Sequence, residues 1–215
     1  MFDLLSANCE ESWIVGGWFT PDYLHYARQL STALDRLGAP YHLVARDKIG
    51  TTWEVETMQK VSVVRQLREH HKGKTLVLLD VDCELRKSPL ALVNSVRGDV
   101  AAYVFPKRSL RPKERARIKI FSTTMVFRPT HGATHFIDAW ENAQAECEST
   151  DVDQTSLMIA FGRTTGFTFE PLGPEWCALS ENHHPDPAIL HLNAGRFATK
   201  ASWWQRASVR LRRSI

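Results

Sequence analysis

Long apolar runs are missing from this chain. No window of its 215 residues approaches the length that spans a bilayer, and the opening MFDLLSANCEES has neither the basic flank nor the apolar stretch of a secretory leader. A soluble protein made in the cytoplasm is the expectation. Cysteine is scarce as well: Cys9, Cys83, Cys147 and Cys177 stand far apart with no Cys-x-x-Cys spacing. That pattern indicates neither a zinc site nor a disulfide framework and leaves reduced packing residues. There is no repeat period, no Pro/Ser-rich linker and no shift in composition, which argues against a solenoid and against two tethered domains. The hydrophobic share, 43%, suffices for the core of one sizeable domain.

The elements alternate. Ser12 to Gly16 reads as a first strand, and Thr20, Pro21 and Asp22 give a helix start with a capping hydroxyl, a first-turn proline and an acid. Leu24, Ala27, Leu30, Leu34 and Leu37 recur at helical spacing up to Gly38 and Pro40. Residues 41–45 read as a second strand, Glu54 to His71 as a second helix, residues 75–79 as a third strand and Pro89 to Val96 as a short helix. Strand, helix, strand, helix, strand predicts a parallel sheet covered by helices. In the later half, Asp99 to Phe105 and Ile120 to Phe127 read as strands, followed by helices to about Cys147 and from Asp153 to Phe161. Two short strands, Gly166 to Glu170 and Ala188 to Leu192, close the pattern.

Residues 75–85, TLVLLDVDCEL, carry the strongest chemical signal. Leu76 to Leu79 form a buried strand, and Asp80 and Asp82 then emerge on one face at its carboxyl end, the edge where open α/β sheets bind ligands. Two hard oxygen donors so close call for a cation, and Mg²⁺ or Mn²⁺ bridging to a diphosphate fits them. A solvated Asp-x-Asp turn is the alternative.

The layout from about Trp13 to Trp204 resembles the nucleotide-diphospho-sugar transferases of the glycosyltransferase A fold, the family 8-like members above all. Four places carry the resemblance: WIVGGWFTPDYLHYARQL near the amino terminus, Asp80-Val81-Asp82, Thr150-Asp151-Val152-Asp153-Gln154, and His191-Leu192-Asn193-Ala194-Gly195 with Lys200 and Trp203 beyond. The last departs from the family's His-to-Gly spacing by one residue, and Ser122 to Met125 stands where many relatives carry Asn or Ser followed by Gly. The resemblance implies one Rossmann-like α/β catalytic domain over residues 1–204, a mixed, mostly parallel sheet flanked by helices, and a basic tail at 205–215. It implies a metal-dependent hexosyltransferase that moves a sugar from a nucleotide-diphosphate sugar, a UDP-sugar foremost, to a hydroxyl acceptor.

Residue by residue, the resemblance assigns Gly16, Thr20, Asp22 and Tyr23 to the donor's base and ribose, and Asp80 to the metal or the ribose. Asp82 and His191 become metal ligands, Mn²⁺ or Mg²⁺ the cofactor. Gly195, Arg196 and Lys200 face the diphosphate, and Asp153 with Gln154 stands beside the sugar. Asp153 is then a general base or a stabiliser of an oxocarbenium-like centre. Lys60 is a donor contact or a solvated residue on its helix; His191 is a ligand or a hydrogen-bonded core histidine; Asp153 is catalytic or a first-turn acid favoured by the helix dipole. A haloacid dehalogenase-like phosphatase and a non-catalytic binding module for a nucleotide sugar or nucleic acid are the alternative classes. Glu84 and the late position of the strand count against the phosphatase.

The net charge is only +3, yet seven of the thirteen residues from Lys107 to Lys119 are basic, Lys107, Arg108, Arg111, Lys113 and Arg115 among them, and no acid follows Asp186. A polyanion near the active site is the inference. It is either DNA carrying a hydroxylated base, as in phage-type modification, or an anionic membrane beside a saccharide or lipid-linked glycan acceptor. No obligatory protein partner is indicated.

Overall fold

The computed structural model describes residues 5–106, 118–180 and 183–192. In chain order it contains β1 (Leu5–Ala7), β2 (Trp13–Phe19), α1 (Leu24–Arg36), β3 (Tyr41–Ala45), α2 (Trp53–Thr57), α3 (Lys60–His70), β4 (Thr75–Leu79), β5 (Cys83–Leu85), α4 (Leu90–Ser95), β6 (Val100–Pro106), β7 (Ile118–Phe127), α5 (His131–Ala143), α6 (Asp153–Arg163), β8 (Phe169–Leu172) and β9 (Ile189–His191). Seven strands form one sheet in the order β1-β3-β2-β4-β7-β6-β8, while β5 and β9 make a separate ribbon. β2, β3 and β4 are parallel, β7 runs against both β4 and β6, and β8 is parallel to β6. With β1 antiparallel to β3, all strands of the sheet but β1 and β7 point one way. The mixed, mostly parallel sheet expected from the sequence is therefore the architecture observed.

Strand alternation explains why the sheet is covered on both faces. In β2, Trp13 and Val15 enter the core that α1 closes with Ala27, Leu30 and Leu34. Ile14 enters the opposite core, built with Val61, Val64 and Leu67 of α3, Phe136 and Trp140 of α5, and Leu157 of α6. β4 divides in the same way, Val77 and Leu79 to the first core, Leu76 and Leu78 to the second. A strand buried on both faces has to read as a continuous apolar run. Each fully buried leucine contributes about 1.5–3 kcal/mol.

Gly16 belongs to this packing. A Cβ there would lie 2.6 Å from the Cδ1 atoms of both Leu67 and Leu76, so its bare backbone lets α3 lie close against β2. The donor-contact expectation for Gly16 does not match its position in mid-strand, inside the core.

Other boundaries move for physical reasons. β1 is a three-residue edge strand that precedes the expected first strand. Thr20 does not cap a helix; its hydroxyl donates to Asp22 Oδ1 at 2.6 Å, and Pro21–Tyr23 forms a 3-10 turn before α1 begins. The single helix expected from Glu54 to His71 divides after Thr57, and α3 starts at Lys60. β4 ends at Leu79, so Asp80 and Asp82 lie in the loop past the strand rather than on its pleat. No helix among the described residues is long and apolar enough to cross a membrane.

Candidate active site

The parallel strands β2 and β4 deliver their carboxyl ends to one edge of the sheet, and a cavity of about 500 Å³ opens there. Its wall includes Trp18 of β2, Thr20, Asp22 and Tyr23 after β2, Lys48, Trp53 and Thr57 around α2, Asp80 and Asp82 after β4, Ser122 of β7, Asp153 and Gln154 of α6, and His191 of β9. Cavities of this size accommodate a cofactor-sized or drug-sized ligand.

Lys60 is the centre of the floor. It is 5% exposed, and its ammonium lies 2.8 Å from Asp80 Oδ1 and 2.8 Å from Asp153 Oδ2. It also reaches the Ser122 hydroxyl at 3.2 Å. The solvated reading of Lys60 is thereby corrected: as the first residue of a helix laid across the sheet, it points inward over β7. Asp153 Oδ2 in turn accepts from the Ser122 hydroxyl at 2.6 Å. The start of α6 is pinned by Trp140, whose indole N–H donates to Ser156 Oγ at 3.0 Å and to the Asp153 carbonyl at 3.3 Å. The Asp153 amide donates to Thr57 Oγ1 at 3.2 Å, and the Gln154 side-chain amide donates to the Ile120 carbonyl. Asp153 thus occupies the first turn of its helix, where the dipole favours an anion, and also faces the cleft.

The ribbon of β5 and β9 brings the end of the described chain back to the Asp80 loop. Cys83 pairs with His191, and the Leu192 amide donates to the Asp82 carbonyl at 2.9 Å. His191 is 3% exposed, with Nε2 2.8 Å from Thr124 Oγ1. Burial, then the charge of Lys60, pushes its pKa down to about 3, so it is a neutral imidazole, the form that ligates metals. Burial pushes the Asp80 carboxyl up to about 7 against the pull of Lys60, and the charges of Asp82 and Asp153 push the same way. Burial, then Asp82 and Asp22, raises the Tyr23 phenol to about 12. Nearer the rim, Asp22 pairs with Lys48 at 2.8 Å.

Two carboxylates, Asp80 and Asp82, beside a neutral imidazole are a donor set that fits Mn²⁺, and Mg²⁺ less closely because of the nitrogen. The side chains are not drawn into a closed shell: the ligand atoms of Asp80, Asp82 and His191 do not all lie within 4.8 Å of one another, whereas among the described residues those of His42, His70 and His71 do. Asp80 turns to Lys60, and His191 Nε2 turns to Thr124.

Of the residues expected from the sequence, the fold brings Thr20, Asp22, Tyr23, Lys60, Asp80, Asp82, Asp153, Gln154 and His191 to one cavity. Gly16 does not line it. Gly195, Arg196 and Lys200, and the basic residues Lys107, Arg108, Arg111, Lys113 and Arg115, lie outside the described residues. Thr57, Lys48, Trp18 and Trp53 were not singled out by sequence reasoning, and Ser122 was noted only as the start of the segment where many relatives carry Asn or Ser followed by Gly.

No family model matches the chain, and no curated protein matches it. Among solved structures it is similar to a glycosyltransferase involved in the glycosylation of the major capsid of PBCV-1, with a TM-score of 0.64, 12% identity, and coverage of 84% of this chain and 92% of that one. It is also similar to the galactosyltransferase LgtC, whose structure holds donor and acceptor sugar analogs, with a TM-score of 0.55, 11% identity, and coverage of 83% of this chain and 86% of that one. The glycosyltransferase GlyE of Streptococcus pneumoniae TIGR4 gives a TM-score of 0.52 at 14% identity over 83% of this chain, which spans 54% of GlyE. At this level of identity the likeness is one of fold, and the fold of this chain is the glycosyltransferase A fold.

Proposed function

We propose that the cleft binds a nucleotide-diphosphate sugar, a uridine diphosphate sugar foremost, and that the chain transfers the sugar to a hydroxyl acceptor. The observation that carries this reading is the convergence of Asp80, Asp82, His191, Lys60 and Asp153 on one cavity at the carboxyl edge of β2 and β4, in a fold shared with glycosyltransferases. Asp80, Asp82 and His191 would hold a divalent ion, Mn²⁺ ahead of Mg²⁺. When bound, that ion supplies charge neutralisation for the departing diphosphate.

The chain's own residues supply the rest. Trp18 and Tyr23 offer apolar faces to the base, and the Thr20–Asp22–Lys48 chain of contacts offers polar groups to the ribose. Asp153 Oδ2 is taken up by Lys60 and Ser122, so a developing positive charge on the sugar or an acceptor proton falls to Oδ1. Lys60 fixes both carboxylates before substrate arrives, and such preorganisation is what makes charge stabilisation effective in a closed site. The four segments named in the sequence, Arg196 and Lys200 included, belong to the same reading, with the domain over 1–204.

A saccharide or lipid-linked glycan acceptor is favoured by the structural neighbours, one involved in the glycosylation of the major capsid of PBCV-1 and one crystallised with donor and acceptor sugar analogs. The basic run from Lys107 to Lys119 supports a second acceptor reading, a hydroxylated base in DNA whose phosphates such a run would hold. The fold likeness favours transfer over the phosphatase alternative.

The test is thermal stability against a panel of nucleotide sugars, with and without Mn²⁺, on the natural chain and on Asp82→Ala. Ligand binding to the native state raises the melting temperature by mass action. A Mn²⁺-dependent rise with one nucleotide, lost in Asp82→Ala, is expected; no rise with any donor overturns the reading.

A further inference from the structure

The far end of α3 holds a cluster that the cleft does not use. His42 in mid-β3 and His71 just past α3 are buried, 5% and 6% exposed, and His42 Nδ1 lies 2.8 Å from His71 Nε2. His70, exposed on the last turn of α3, completes the group. The three rings meet edge-on with centroids 4.7–5.1 Å apart, and one ligand nitrogen from each lies within 4.8 Å of the other two.

We propose that His42, His70 and His71 form a transition-metal site, with Zn²⁺ as its first occupant, distinct from the cation site of the cleft. Three imidazole nitrogens and one position open to solvent beside exposed His70 make a donor set suited to Zn²⁺, Cu²⁺ or Ni²⁺ and poorly suited to Mg²⁺. A metal–nitrogen bond of about 2.0–2.1 Å places tetrahedral ligand nitrogens somewhat over 3 Å apart. The His42–His71 contact therefore has only to relax slightly, and the exposed His70 side chain supplies the remaining motion.

A further observation supports the site. Burial lowers the pKa of His42, with the charge of His70 adding to it, and burial together with His42, His70 and Lys74 takes His71 down to about 4. Both imidazoles are then neutral, and the ring that donates the His42–His71 hydrogen bond has only to shift its proton to its other nitrogen to ligate.

The position separates this site from catalysis. Lys60 is the first residue of α3 and His70 the last, so at 1.5 Å per residue the two ends lie about 15 Å apart. A metal here would tie the end of α3 to β3, bracing the helix that carries Lys60 into the cleft. The proposal does not depend on what the cleft binds.

The experiment is calorimetric titration of the metal-stripped full chain with Zn²⁺, in excess Mg²⁺ to occupy harder sites, and the visible absorption of a Co²⁺ titration in parallel. One equivalent should bind with a tetrahedral-type Co²⁺ spectrum. Loss of one ligand in His70→Ala should weaken Zn²⁺ binding by at least about tenfold. Because His70 is exposed, that variant should fold, and circular dichroism checks it; His71→Gln gives a second reading. His135→Ala, which breaks the exposed His131/His135 pair on α5, and Asp82→Ala in the cleft should leave the affinity unchanged. The proposal is overturned if no saturable Zn²⁺ binding occurs, or if binding survives in His70→Ala and is lost in His135→Ala or Asp82→Ala.

Discussion

Asp80→Asn should make the metal-free protein more stable at neutral pH. Asp80 titrates near 7 in the folded chain because burial, with Asp82 and Asp153 nearby, disfavours its charge more than Lys60 favours it; the unfolded value is 3.8. The native state therefore holds a proton that the unfolded state has released, and stability falls as pH rises through this interval. The penalty is absent below about pH 4, grows between about 4 and 7, and is complete above about 7. Carrying a carboxyl from 3.8 to about 7 corresponds to about 4 kcal/mol, and local relaxation places the expected value at about 2–4 kcal/mol. Asparagine keeps an oxygen for the Lys60 ammonium and removes the charge, while Lys60 retains Asp153 at 2.8 Å.

The assay is urea unfolding in EDTA at half-unit steps from pH 4 to pH 8, read as the difference between variant and natural chain so that all other titrations cancel. The difference should rise from near zero at pH 4 to about 2–4 kcal/mol at pH 7, and saturating Mn²⁺ should narrow it by favouring the ionised carboxylate. A difference that is flat across this range, or a less stable variant at pH 7, would refute the reasoning.

Removing the cation has the opposite sign. Lys60→Met leaves Asp80 and Asp153 facing each other and should cost about 3–5 kcal/mol at pH 7, less at pH 5, where Asp80 is protonated; urea unfolding at the two pH values measures it. The pKa of Lys60 is raised in the fold, so its contribution is fully present at neutral pH and fades only in strong alkali. Ser122→Ala removes a hydroxyl bonded to Asp153 and should cost about 1.5–3 kcal/mol, the range for hydrogen bonds to charged groups, by the same measurement. Gly16→Ala puts a methyl 2.6 Å from Leu67 and Leu76 and should cost about 1–3 kcal/mol through overpacking, with α3 displaced enough to weaken ligand binding in the cleft.

The part of the fold that follows from short-range pattern was legible. TLVLL is apolar at every other position on both sides of its pleat, which only a strand covered on both faces requires, and two aspartates at its carboxyl end had to emerge at the ligand-binding edge. His191 could be placed near them only through the order of motifs, because its pairing with Cys83 spans about half of the chain. Lys60 was legible as a candidate only through the resemblance: a lysine after Met58 and Gln59 at the head of a helix looks solvated, and its partners at 80, 122 and 153 are supplied by three other elements. β1 is too short to show a period. The reversed direction of β7 is likewise invisible, since a strand's apolar pattern is the same in either direction.

The measurement that tests the central claim most directly uses the two tryptophans in the cavity wall, Trp18 and Trp53. Intrinsic fluorescence is followed while nucleoside diphosphates of each base are titrated in, in Mn²⁺ and again in EDTA, on the natural chain and on Asp82→Ala. A saturable change with one nucleotide, present in Mn²⁺ and absent both in EDTA and in Asp82→Ala, is the predicted result. No saturable change with any nucleotide, or binding indifferent to both Mn²⁺ and Asp82, would contradict the account.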